Sequence, residues 1–237
     1  MSSFVELWVY LSATPLFGLT ATLVVYVLAY ALYERLSHAP LANPVLWTVI
    51  VLALLLHASG TPYPTYFSGA QFIHFLLGPA VVALAWPLWQ RRAELHARRT
   101  ALVVAALAGG AAAAGSAVAL GWLMGLPAPV LASLAPKSTT APVAMGLADA
   151  LGGVAALAAV FAVLTGLVGA VSGKFLFDAM GIRQPEVRGF ALGTASHGIG
   201  AARAWQVHPA AGAYAALALG LQVLLASLLL PLAHKLF

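Results

Sequence analysis

The chain has 237 residues, 62% of them hydrophobic and only 7% charged, with a mean hydropathy of +0.97. A soluble domain carries about 25% charged residues, so this chain could not cover a water-facing surface, and the soluble classes are excluded. Its net charge of +5 comes from 11 Lys and Arg against 6 Asp and Glu; most basic residues lie in short loops between apolar runs, which reads as membrane topology and not as nucleic-acid binding.

Apolar segments follow one another at about 7–33, 44–60, 70–90, 100–126, 129–150, 152–176, 188–206 and 210–234. A bilayer-crossing helix needs about 20 such residues, and the short alternating pattern of a membrane barrel is missing. The expected fold is therefore all-α: a polytopic helical membrane protein with seven to eight membrane segments, forming one integral membrane domain over 1–237. Its halves would be about 7–126 and 129–234. Residues Met1 to Glu6 lack a basic n-region and the first run is too long for a cleaved signal, so that run is expected to stay as the first helix. With no cysteine, disulfides and thiolate metal sites are excluded, and neither a metal nor a cofactor is expected. Walker, zinc and catalytic-triad patterns are missing too, so the chain is not read as an enzyme.

In the third segment Gly78-Pro79 marks a helix break. The joint after it holds Arg91, Arg92, Arg98 and Arg99. With the N-terminus outside, these and Arg35 fall in the cytoplasm, as short basic loops should. The fifth segment decides the rest. If it turns back, Lys174, Arg183, Arg188 and Lys235 all fall inside as well. Pro136-Lys137-Ser138-Thr139-Thr140-Ala141-Pro142 lies in its middle, and each proline removes a backbone donor and disfavours continuous helix. We read 129–150 as re-entrant or unwound. Under that topology the trios 44–126 and 152–234 run in opposite senses. Phe75-Leu76-Leu77-Gly78-Pro79-Ala80 before Trp86 echoes Phe190-Ala191-Leu192-Gly193-Thr194-Ala195 before Trp205. Inverted repeats with paired interruptions point to a transporter binding site.

Few ionisable residues sit in the apolar runs: Lys137, Asp149, Arg203 and the histidines His57, His74 and His197. A charge at the bilayer centre costs about 2.5–3.5 kcal/mol on insertion scales, so such residues face cavities or partners. Asp149 is the nearby counter-ion candidate for Lys137 and Arg203, which leaves one positive charge for a small anion. An unwound turn would add backbone N–H groups and the hydroxyls of Ser138, Thr139 and Thr140 around Lys137. In "ASHGIGAAR" (195–203) the glycines 198 and 200, with Gly193 before them, permit either close packing or a broken helix. A continuous helix would align Ser196 with Arg203 and turn His197 away; a break could gather all three. Arg203 can hold a carboxylate by two parallel N–H bonds, and His197 can carry a coupling proton. His57 and His74 read as interfacial.

The runs "FLLGPAVVALAWPL" (75–88), "APKSTTAPVAMGLADALGG" (135–153) and "RGFALGTASHGIGAARA" (188–204) resemble the LrgB/CidB membrane-protein family, in the family's order. The resemblance implies two functional pictures. One is a holin/antiholin-like regulator of murein hydrolase export and cell lysis, working with a small LrgA/CidA-type membrane partner. The other is a carrier, since plastid relatives export glycolate and glycerate and some bacterial relatives are linked to pyruvate uptake. The family's Lys-Ser motif maps onto Lys137 and Ser138 with Thr140 as its threonine, its Ser-His-Gly motif onto Ser196, His197 and Gly198, and its arginine onto Arg203. Ala201 stands where many members have threonine, and Ala141 where threonine or methionine is common. The expected function is alternating-access carriage of a small 2-hydroxy or 2-oxo monocarboxylate, coupled to protons or Na+. The expected setting is a homodimer in a bacterial inner membrane.

Overall fold

The computed structural model describes residues 15–76, 79, 82, 83, 85–90 and 92–234. Gly78, Arg91 and Lys235 lie outside the described residues. Among the described residues every regular element is helical, and four helices are long and apolar enough to cross a membrane: Leu16–Arg35, Arg99–Leu123, Ala155–Ala179 and Pro209–Ala233. The chain forms two compact units, Met1–Ala83 and Leu84–Phe237.

The first unit holds α1 (Pro15–Arg35), a 3-10 turn (Pro40–Ala42), α2 (Pro44–Ser59) and α3 (Tyr63–Phe75). Asn43 starts α2 by accepting from the backbone N–H groups of Val45 and Leu46, at 3.0 and 3.1 Å. Gly60 ends it at φ 64°, the left-handed cap that glycine adopts without strain. α1 and α3 touch at backbone distance, because Gly18 lies against the Tyr66 carbonyl. One turn on, the hydroxyls of Thr22 and Tyr66 are 2.7 Å apart.

The second unit holds α4 (Ala85–Gln90), α5 (Arg92–Ala97), α6 (Arg99–Leu123), α7 (Ala128–Leu134), α8 (Ala141–Ala150), α9 (Ala155–Ala179), α10 (Pro185–Val207) and α11 (Pro209–His234). Within this unit two segments turn back on themselves. The first is α7–α8. Ser133, near the end of α7, takes a 2.8 Å hydrogen bond from the N–H of Val154, just ahead of α9. Gly153 leaves the room for this contact, since a Cβ there would stand 2.9 Å from the Ser133 backbone nitrogen. α8 reaches the same place from within, running antiparallel to α9 with Ala144, Ala148, Ala158 and Ala162 in one cluster. Residues 135–140 therefore form an inner tip, as expected for 129–150.

The second is α10, which sequence reading placed as a crossing segment with a break. His197 has φ 41° and ψ −132°, and the chain reverses there. On the return limb, a Cβ at Gly200 would lie 2.6 Å from the Leu192 carbonyl oxygen. In a straight helix residues eight apart are separated by about 12 Å. Ala201 and Ala204 of that limb share a cluster with Leu192 of the outgoing limb and with Ala211 and Ala215 of α11. Gly189 and Gly193 of the outgoing limb press on the backbone of Ala211 and Ala215, so this limb and α11 run parallel.

This reversal corrects the topology. α11 starts at the end where α10 starts and runs away from it, so the C-terminal end of α11 stands opposite Lys174, Arg183 and Arg188. The expectation that Lys235 joins those residues lies outside the described residues. At the end of the unit where α10 starts, Tyr214 donates a 2.6 Å hydrogen bond to Glu94 of α5, and Arg188 pairs with Asp178. The basic residues Arg92, Arg98, Arg99, Lys174, Arg183 and Arg188 thus share one end, as the positive-inside rule requires.

Gly193→Ala would drive a methyl into the Ala215 carbonyl, a backbone group with nowhere to go. We expect it to cost about 1–3 kcal/mol and to lower the melting temperature in detergent. Gly198→Ala meets open space and is expected to stay within about 0.5 kcal/mol of the parent; thermal unfolding of the two variants side by side is the check.

Candidate functional site

The two inner tips approach the middle of α9 from opposite ends. From one end comes 135–140, and its turn is built locally. The Pro136 carbonyl accepts from both the N–H and the hydroxyl of Thr139, at 2.9 and 2.8 Å. Thr139 is thereby committed to the turn. Ser138 and Thr139 are buried and Pro136 is fully so. Lys137 lies between them, half-buried, with its Nζ 3.3 Å from the Ser138 hydroxyl. Thr140 takes the N-cap position of α8 without its side chain capping it, and Pro142 occupies the first turn.

From the other end comes the tip of α10. His197 is buried, and its Nε2–H donates to the Ala162 carbonyl of α9 at 2.7 Å. A carbonyl only accepts, so the proton sits on Nε2 and Nδ1 is left for other chemistry. Ser196 is 2% exposed, and its hydroxyl fills the place a side chain at Gly169 would take. Gly166 likewise makes room for Ile199 and for the His197 ring edge. Ala162 also belongs to the cluster against which Ala141 packs at the start of α8, so the two tips meet the same stretch of α9.

Both α8 and the return limb of α10 begin at these tips, so their positive dipole ends are directed there along with the ammonium. Helix N-termini plus a fixed cation make a place that favours an anion. Among the described residues Lys137 forms no ion pair. Asp149 was the expected counter-ion, and the structure overturns that. It is exposed at the outer end of α8, about 13 Å of helix from Thr140. Arg203 is buried on the return limb, 6% exposed. It stands six residues past His197, about 9 Å of rise, so it belongs to the limb and not to the tip.

The remaining residues singled out from sequence divide by role. Gly193 and Gly200 are sites of close approach, at the α11 backbone and at the outgoing limb of α10; neither is itself the break. Gly198 follows the break with open space beside it. Pro79 is exposed, as is His57. Sequence reasoning missed Ser133, which is fully buried, donates back to the Pro129 carbonyl within α7 and ties that helix to Val154. It also missed Gly166 and Gly169, whose role depends on what α10 lays against them. A serine or glycine in an apolar run carries no signal that separates such roles.

The chain matches the LrgB-like family over residues 22–236. It is 32% identical over 194 residues to a Haemophilus influenzae protein, covering 82% of this chain and 84% of that one. It is also 32% identical over 216 residues to YxaC of Bacillus subtilis, covering 91% and 94% of the two chains. The holin-like protein CidB of Staphylococcus epidermidis is 28% identical over 224 residues, again 91% and 94%. No solved structure matches. With the family covering nearly every residue and relatives aligned almost end to end, the chain is a multi-pass membrane protein of the LrgB family.

Proposed function

We propose that this protein carries a small 2-hydroxy or 2-oxo monocarboxylate across the membrane by alternating access. The observation behind this is Lys137, a cation without an ion pair among the described residues, at the tip of one hairpin and facing the tip of another. A carboxylate would receive the Lys137 ammonium, with Ser138, Thr140 and Ser196 meeting its hydroxyl or carbonyl oxygen. Arg203 is read as a second cation on the way to that site, and His197 as the carrier of a coupled proton, with Na+ as the other candidate ion. We read α7–α8 and α10 as the two broken elements of the carrier, one opening to each side. The setting is the bacterial inner membrane, with seven to eight membrane segments per chain, as a homodimer with an LrgA/CidA-type partner. On this reading the protein is a carrier and not an enzyme.

A second reading rests on the printed name of the staphylococcal relatives, holin-like. On it the chain would perturb the bilayer as an assembly and regulate murein hydrolase export. That reading leaves a half-buried cation at a helix break without a task. It also predicts leakage indifferent to Lys137.

Liposomes containing the purified chain separate the two. Labelled glycolate, pyruvate or glycerate should enter saturably while sucrose stays out. Lys137→Ala should lower entry about 10- to 100-fold, the worth of one hydrogen bond to a charged group. Sucrose leakage, or full activity in a folded Lys137→Ala protein, would refute the carrier. Asp149→Asn is a separate expectation: exposed and far from the tip, it should change uptake by less than twofold. A large loss there would restore Asp149 as the counter-ion.

A further inference from the structure

The return limb of α10 carries a line of residues that the site itself does not use. Ile199, Arg203 and Gln206 stand at positions i, i+4 and i+7, hence on one face of the limb. Ile199 marks where that face begins, against Gly166 of α9 and beside the His197 ring. Arg203 follows, 6% exposed. Gln206 comes last, near the end where α9 finishes, and its Oε1 is buried without a hydrogen-bond partner among the described residues. Gln222 of α11 behaves differently. It is 4% exposed and donates to the Ala106 carbonyl at 2.6 Å, so it ties α11 to α6. An amide oxygen left unmet in the interior costs about 1–3 kcal/mol. An intramembrane arginine marks a solute pathway more often than a packing role. Two such groups one turn apart, aligned from the helix end to the inner tip, describe a path.

We propose that Ile199, Arg203 and Gln206 line a one-sided access route along the return limb of α10, leading a small carboxylate from the basic end of the unit to the tip at His197. This rests on the carrier reading above and adds the route and its direction. Arg203 draws the anion inward, and Gln206 offers the first neutral hydrogen-bonding group, accepting from a hydroxyl or from accompanying water. Ile199 narrows the route just before His197. The opposite hairpin, α7–α8, serves the other side.

The chain has no cysteine, so Gln206→Cys introduces a single thiol. Reconstituted in liposomes, it should react with a charged, membrane-impermeant thiol reagent only from the side bearing Lys174 and Arg183. Saturating glycolate should slow that reaction at least fivefold. Val168→Cys, on an exposed apolar face of α9, should stay unreactive from both sides. The route is overturned if Gln206→Cys is inert, or reacts equally from both sides, or reacts at one rate with and without glycolate. Should the cysteine variant not fold, Gln206→Glu places a negative charge in nearly the same volume. It should raise the KM for glycolate at least fivefold with kcat within twofold, and an unchanged KM overturns the route. A wild type that takes up no carboxylate fails the carrier reading itself; a transporting wild type with Gln206→Cys inert or unprotected fails the route alone.

Discussion

The hydrogen bond from His197 Nε2–H to the Ala162 carbonyl holds the second tip where it stops. A helix that breaks inside a bilayer leaves backbone groups that no water meets, so protein must meet them or the break cannot persist. Here the break falls on one residue with positive φ, a conformation that costs a non-glycine side chain. Tertiary contacts offset that cost. The Ala162 carbonyl lies on the face of α9 that the tip meets, and glycines 166, 169 and 173 let α10 lie close enough to reach it. A larger residue at any of these would push the tip away and the bond with it.

The same economy of small residues runs through the second unit. Alanines of α8 and α9 zip the first hairpin, glycines 189 and 193 bring the outgoing limb against α11, and the return limb packs through Ala201 and Ala204. Lipid tails are as apolar as leucine, so helices in a membrane gain little from burying apolar area. They associate by close van der Waals fit and interhelical hydrogen bonds. The interior is correspondingly sparse in large side chains, with Ser133, Ser138, Thr139, Ser196 and Gln222 buried among the alanines. Most of these hydroxyls and amides hold backbone groups: Ser133 at Val154, Thr139 at Pro136 and Gln222 at Ala106.

Two short hairpins entering from opposite ends and stopping near the centre of one long helix divide the membrane's thickness between them. Each hairpin has its own contacts along α9: Ser133 with Val154 just ahead of that helix for the first, His197 with Ala162 and Arg188 with Asp178 for the second.

The membrane class was legible in composition alone, since 7% charge cannot cover a soluble surface. The break at 135–140 was legible as well, because two prolines and a lysine in an apolar run leave few alternatives. His197, Ser138 and Ser196 stood out as polar residues where polarity is costly. What sequence could not supply was direction. Glycines at 193, 198 and 200 suit either close packing or a break, and only the packing against α9 and α11 decides which. The reversal at His197 is such a case. Helical periodicity is identical on both sides of a turn, so no local pattern tells a crossing helix from a doubled one, and the orientation of α11 follows from it. Asp149 shows the same limit: it lies twelve residues from Lys137 in sequence, but α8 carries it outward. Composition and cost are local properties, and they were read; which end a limb faces depends on contacts between distant segments, and only the tertiary structure held them.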